Sequence, residues 1–150
     1  MALKYLSLLP ILLLTSCAGD NSSSSSQGYP EHDYSEIEHL KITYDQSFSI
    51  SEKDHFVYFY QDTCHSCSEI KNEVIDFALK GYLEFYFIYA TESIPHNYTY
   101  QEINQTIGSN NVDDIFVMVT PQLVLIKNGR IEKNIIKNIY IEEELSHYRS

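Results

Sequence analysis

Hydrophobic and polar positions change rhythm several times along this chain. Tyr5 to Leu14 is an almost unbroken apolar run behind a single Lys4. A polar stretch follows, including Asn21-Ser22-Ser23-Ser24-Ser25-Ser26-Gln27-Gly28, with nothing to bury. His55-Phe56-Val57-Tyr58-Phe59-Tyr60 is aromatic and β-branched without polar alternation, as in a strand covered on both faces. It ends at the polar turn Gln61-Asp62-Thr63. Then Cys67, Ile70, Val74, Phe77 and Ala78 recur at helical spacing. Ser66 and Glu69 have the spacing of a capping box, and Gly81 supplies a stop. Leu83–Ala90 predicts a second buried strand, so strand, helix and strand form a βαβ unit with a parallel pair.

The flanks are less regular. Leu40–Tyr44 reads as an edge strand and Tyr44–Ser51 as a short helix. Another helix is predicted over Tyr98–Ile107, after which Asp113-Asp114 lead into Ile115–Val119 and Thr120-Pro121. Leu123–Ile126 is a third strand. Asn128-Gly129 is a strong hairpin signal and turns the chain into an antiparallel strand over Ile131–Ile136. Tyr140–Tyr148 closes as a helix, the acids Glu142-Glu143-Glu144 marking its solvated start. The pattern is therefore α/β with a mixed sheet.

The 150 residues suit one domain with short appendages. Residues 1–16 read as a signal peptide, 17–33 as a Ser-rich tether and 34–150 as the folded domain. The ten residues from Tyr5 to Leu14 would make a helix of about 15 Å, half of a hydrocarbon core, so they do not span. Leu14-Thr15-Ser16-Cys17 resembles the bacterial lipobox. That resemblance implies lipid on Cys17 and a place on the outer face of a bacterial cell membrane. Net charge is -11, and becomes -12 once residues 1–16, with Lys4 their only charged side chain, are removed. Such a surface repels phosphate backbones and anionic headgroups. Nucleic acid is not an expected partner, and the membrane is reached through lipid.

Of three cysteines, Cys17 is absorbed by the lipobox. Cys64-His65-Ser66-Cys67 remains. A first cysteine at a helix start lies in the positive end of the dipole, which favours the nucleophilic thiolate. A second, one turn on, can resolve the mixed disulfide. Cys64 is then the nucleophile and Cys67 the buried resolving thiol. Protonated His65 would favour the thiolate and Asp62 would oppose it. His65, Ser66 and Asp62 are thus the redox-tuning candidates. Metal ligation is the competing use of such a pair, but structural zinc wants four ligands and no second pair exists. No cofactor or resident metal is expected.

With these residues in place, the chain resembles the thioredoxin superfamily over about residues 40–150. Phe56–Tyr60 running into the CxxC, Thr120-Pro121 ahead of Leu123–Ile126, and Lys127-Asn128-Gly129-Arg130 carry the likeness. Within the superfamily it looks most like small lipoprotein and bacteriocin-accessory-type thioredoxin-like proteins of low-GC bacteria. The resemblance implies a thioredoxin-like sandwich, a mixed β-sheet flanked by helices. It implies a cis Pro121 facing the cysteines and a substrate-docking Thr120. Two features depart from the family: Thr63-Cys64-His65-Ser66-Cys67 lacks the usual Trp and Gly-Pro, and Tyr58 stands where thioredoxins keep a buried acid. The implied activity is thiol–disulfide exchange, leaning to reduction, by a monomer acting on exported proteins that carry thiols or disulfides. A copper or zinc chaperone, or a non-catalytic adaptor of the same fold, is the alternative; a change of two daltons on mild reduction without metal would favour the enzyme.

Overall fold

A computed structural model describes residues 28–91, 94–95 and 98–149. The expected signal peptide, Cys17, most of the Ser-rich run and His96 lie outside them. Among the described residues, four strands and three α-helices form the frame: β1 (His55–Tyr60), α1 (His65–Lys80), β2 (Glu84–Tyr89), α2 (Tyr100–Gln105), β3 (Gln122–Lys127), β4 (Arg130–Ile136) and α3 (Asn138–Ser146). The sheet order is β2-β1-β3-β4. β1 runs parallel to β2 and antiparallel to β3, and β3 pairs antiparallel with β4. The sheet is mixed, as the pattern predicted.

Every residue of β1 is buried because this central strand is covered on both faces. Phe56, Tyr58 and Tyr60 point to one face, where they meet Phe85, Phe87, Leu123 and Leu125 under α1 and α3. Val57 and Phe59 point to the other, with Val124, Ile126, Ile115 and Val117. On α1, Cys67, Ile70, Val74, Phe77 and Ala78 are all buried, the stripe the spacing predicted. Gly81 ends the helix in the left-handed region at φ 66°, a conformation that costs glycine little. Asn128 (φ 50°) and Gly129 (φ 69°) form the two-residue turn between β3 and β4.

The structure corrects the flanks. Leu40–Tyr44 is not an edge strand: only Lys41 bridges Phe87, while Ile42 N–H donates to the Phe87 carbonyl at 2.9 Å. A capping box at Asp33 and Glu36 instead winds Tyr34–Leu40 into a 3-10 helix. The helix expected over Tyr44–Ser51 is a single 3-10 turn, Tyr44–Gln46, with Gln46 Oε1 accepting from Thr43 N–H at 2.9 Å. The helix expected over Tyr98–Ile107 is shorter, because Thr99 and Glu102 form its capping box. α3 begins two residues before Tyr140. Its acid run is not wholly solvated: Glu144 is buried and bonds Lys133 Nζ at 2.8 and 2.9 Å.

Packing begins ahead of residue 34. His32 N–H donates to Asn72 Oδ1 at 2.9 Å. The Arg149 guanidinium bonds the Tyr29 hydroxyl, lies 5.0 Å from the centre of its ring, and reaches Glu73 Oε1 at 2.7 Å. No described helix is long and apolar enough to cross a membrane.

Candidate redox site

β1 delivers the chain to the site. Its last pairing carries Tyr60 against Tyr89, and the turn after it closes when Cys64 N–H donates to the Gln61 carbonyl at 3.2 Å. Cys64 then caps α1 with extended backbone (φ -81°, ψ 111°), its sulfur accepting from Cys67 N–H at 3.1 Å. In the reduced protein the same N–H would bond a thiolate more strongly than a thiol, because a thiol is only a weak acceptor. Cys64 and Cys67 are joined as a disulfide, with Cα atoms 5.2 Å apart. Cys64 is half-buried; Cys67, 1% exposed, packs in the core beneath α1.

The capping box expected from Ser66 and Glu69 is absent, because the helix starts two residues earlier than that pairing requires. Cys64 takes the cap and His65 is the first helical residue. Glu69 turns instead to two other partners. Its Oε1 is 3.4 Å from His65 Nε2, and its Oε2 accepts from Asn138 Nδ2 at 2.8 Å. The His65 ring is 87% exposed and turned to Glu69. Asp62 is exposed in the turn before Cys64.

The Thr120–Pro121 peptide bond is cis, as the resemblance implies. The Thr120 carbonyl oxygen lies 3.3 Å from Cys64 Sγ. A polar residue missed by the sequence reading holds this loop. Gln122 is fully buried; its Oε1 accepts from Met118 N–H at 3.0 Å and its Nε2 donates to the Phe116 carbonyl at 2.8 Å. A glutamine opening an otherwise apolar strand was the available signal, since a buried amide must find backbone partners. Beside the sulfur contact, a cavity of about 260 Å³ is lined by Gln61, Ala90, Val117, Met118, Val119 and Thr120. Gln61 Nε2 braces it by donating to the Ala90 carbonyl at 2.8 Å.

Behind Cys67 the core is aromatic rather than acidic. Tyr58 is fully buried between the Tyr60 and Phe87 rings. Burial, then the neighbouring Tyr34, pushes its hydroxyl well above the usual range. The Tyr34 and Tyr58 hydroxyls face each other in poor hydrogen-bond geometry. On the α1–α3 flank, burial raises the Glu142 carboxyl, and the carboxylates of Glu73 and Glu69 add to the rise. Among the described residues, no group of three or more histidine, cysteine or acidic side chains could hold a metal ion.

In outline the chain is similar to thioredoxin f2 of Chlamydomonas reinhardtii (15% identity, 73% of this chain and 95% of the other, TM-score 0.50). It is similar to the same degree to thioredoxin f from spinach chloroplast, short form (13% identity, 74% and 93%, TM-score 0.50). No protein-family model and no curated protein sequence matches it. The fold is therefore thioredoxin-like, an α/β sandwich, and it holds a CxxC disulfide at the start of its first long helix. That arrangement is suited to thiol–disulfide exchange.

Proposed function

We propose that this protein is a membrane-anchored, extracytoplasmic thiol–disulfide oxidoreductase that acts through Cys64 and Cys67 on exported proteins, chiefly as a reductase. One observation carries the redox half: a half-buried Cys64 caps a helix, bonded to a buried Cys67 and facing a backbone carbonyl beside a cavity. In the reducing direction, the Cys64 thiolate attacks one sulfur of the partner's disulfide. A mixed disulfide forms and the other partner sulfur leaves as a thiolate. Cys67 then loses its proton and attacks Cys64 Sγ, which frees the second partner sulfur. Two electrons pass to the partner, and the Cys64–Cys67 disulfide is left behind. An external dithiol must restore the reduced pair. Thr120 would present its carbonyl to the backbone of an extended partner segment, with Pro121 setting the loop.

Direction rests on charge. The helix start stabilises a thiolate, and hence the reduced form. Asp62, Glu69 and the acidic chain oppose it. The balance places the potential between the strong-oxidant and thioredoxin limits, roughly -150 to -260 mV. Equilibrating the protein with glutathione buffers tests this; a value near -120 mV would make it a disulfide-forming oxidase. The anchor rests on the lipobox alone. Fatty-acid label should enter the wild-type chain in a bacterial host and be lost in Cys17→Ser; an unlabelled, soluble wild type would overturn it.

A further inference from the structure

The redox turn is held from its outer side by a residue that no part of the exchange chemistry requires. Asn138, the first residue of α3, is 72 positions from Ser66 in sequence, yet its Nδ2 donates to the Ser66 carbonyl at 3.0 Å. Ser66 lies between the two cysteines. The same Nδ2 donates to Glu69 Oε2 at 2.8 Å. Both partners are acceptors, so only the NH2 group of the amide can serve them. Its Oδ1 is buried with no donor among the described residues. The side chain is thus committed wholly to the first turn of α1.

The backbone before it is unusual in a way that fits this commitment. Lys137 has φ 72° and ψ 136°, a region that side-chain-bearing residues rarely adopt. Its ammonium lies 5.9 Å from the centre of the Tyr140 ring. Lys137 is the single residue between β4 and α3, and its bend lets Asn138 meet α1 at its redox end. Glu69 joins the two sides: one oxygen takes the Asn138 amide and the other faces His65. Asn138 therefore decides where a negative charge sits beside the cysteine turn.

We propose that Asn138 is a positioning residue of the redox site, fixing the Cys64–Cys67 turn through Ser66 and holding the Glu69 carboxylate against it. The inference rests on the redox reading above and adds a residue that tunes it. An acid at position 138 would face the Glu69 carboxylate and the Ser66 carbonyl, and would disfavour a thiolate on Cys64. Loss of the Glu69 charge would do the reverse.

The test uses the full chain in its reduced state. The pH dependence of Cys64 alkylation by iodoacetamide is measured, together with the equilibrium against glutathione. Asn138→Asp should raise the pH midpoint and shift the equilibrium at least threefold toward the protein disulfide. Glu69→Gln should shift both the other way. In Asn138→Asp/Glu69→Gln the new amide can donate to the new carboxylate, and both readings should return to within twofold of wild type. A merely structural role would lower thermal stability in Asn138→Asp and leave pH midpoint and equilibrium unmoved, which would overturn the proposal. Should that variant fail to fold, Glu69→Gln alone decides, since it replaces a side chain 41% exposed; no shift there would overturn the proposal equally. A wild-type pair that cannot be reversibly reduced would instead remove the redox reading itself.

Discussion

The Thr120 carbonyl oxygen stands 3.3 Å from the sulfur of Cys64, while Cys67 has no exposed face from which to meet a partner. The two cysteines are therefore not interchangeable. One can be reached beside a backbone acceptor; the other can be reached only through the first.

Trapping should display that asymmetry. Cys67→Ser leaves Cys64 free to attack and removes the resolving thiol, so mixed disulfides with partner proteins should accumulate. Cys64→Ser should trap few. Non-reducing electrophoresis followed by mass spectrometry reads the difference, and equal trapping by both variants would contradict the assignment.

Tyr58 is buried in the core with Cys67, and its hydroxyl faces the hydroxyl of Tyr34. It is thus a poor proton acceptor for Cys67. Tyr58→Phe should change stability by less than about 1 kcal/mol, because only its poorly formed contact with the Tyr34 hydroxyl is lost. It should leave the rate of disulfide reduction within about twofold, under 0.5 kcal/mol of barrier. A tenfold fall in that rate would return a proton-transfer role to the hydroxyl.

Acid should weaken the β2 edge in a defined window. Hydrogen bonds from Ser51 and Lys53 hold the Glu84 carboxyl down at about 2. Lys53 Nζ is 2.9 Å away and the Tyr86 hydroxyl donates at 3.1 Å. A depressed carboxyl stabilises the fold above its unfolded value, and the contribution is lost as pH falls from there through the folded value. For so exposed a pair it is worth no more than about 1 kcal/mol. Glu84→Gln should therefore cost up to that amount at pH 6 and nothing once the pH is well below 2. Thermal midpoints across the range check this; a gap that does not close with acid would rule it out.

Lys137 holds a backbone conformation that glycine adopts freely. Lys137→Gly should relieve strain but also loosen the unfolded chain, for a net gain of about 0.5–1 kcal/mol. Denaturant unfolding measures it. A clear loss of stability would mean that the contact of the Lys137 ammonium with the Tyr140 ring outweighs the strain.

Strands and the main helix were legible in the sequence because their signals are local and repeat. His55–Tyr60, the stripe from Cys67 to Ala78, and Asn128-Gly129 each specify one element through neighbouring residues alone. The helix start was misplaced because Ser66 and Glu69 offer a familiar cap, while the cap in use is a sulfur. Residues 34–51 misled for a related reason. Leu40–Tyr44 has strand-like residues, yet polar side chains at Asp33, Glu36 and Gln46 close turns against backbone N–H groups and override that preference. Of the site, the cysteine pair and the Thr120-Pro121 loop could be placed from motif and resemblance. Gln122 and Asn138 could not: each acts on backbone groups of another segment, and the partner of an amide leaves no mark at a fixed spacing.

Tyr29, His32 and Arg149 clasp the middle of α1 and fasten the first described residues to it. Glu73 lies nine residues beyond Cys64, or about 13 Å along the helix axis. Were the chain ahead of Gly28 the tether proposed above, its pull would enter the fold at mid-helix through Tyr29 and His32, about 13 Å from the sulfurs, and the redox turn would carry none of it directly.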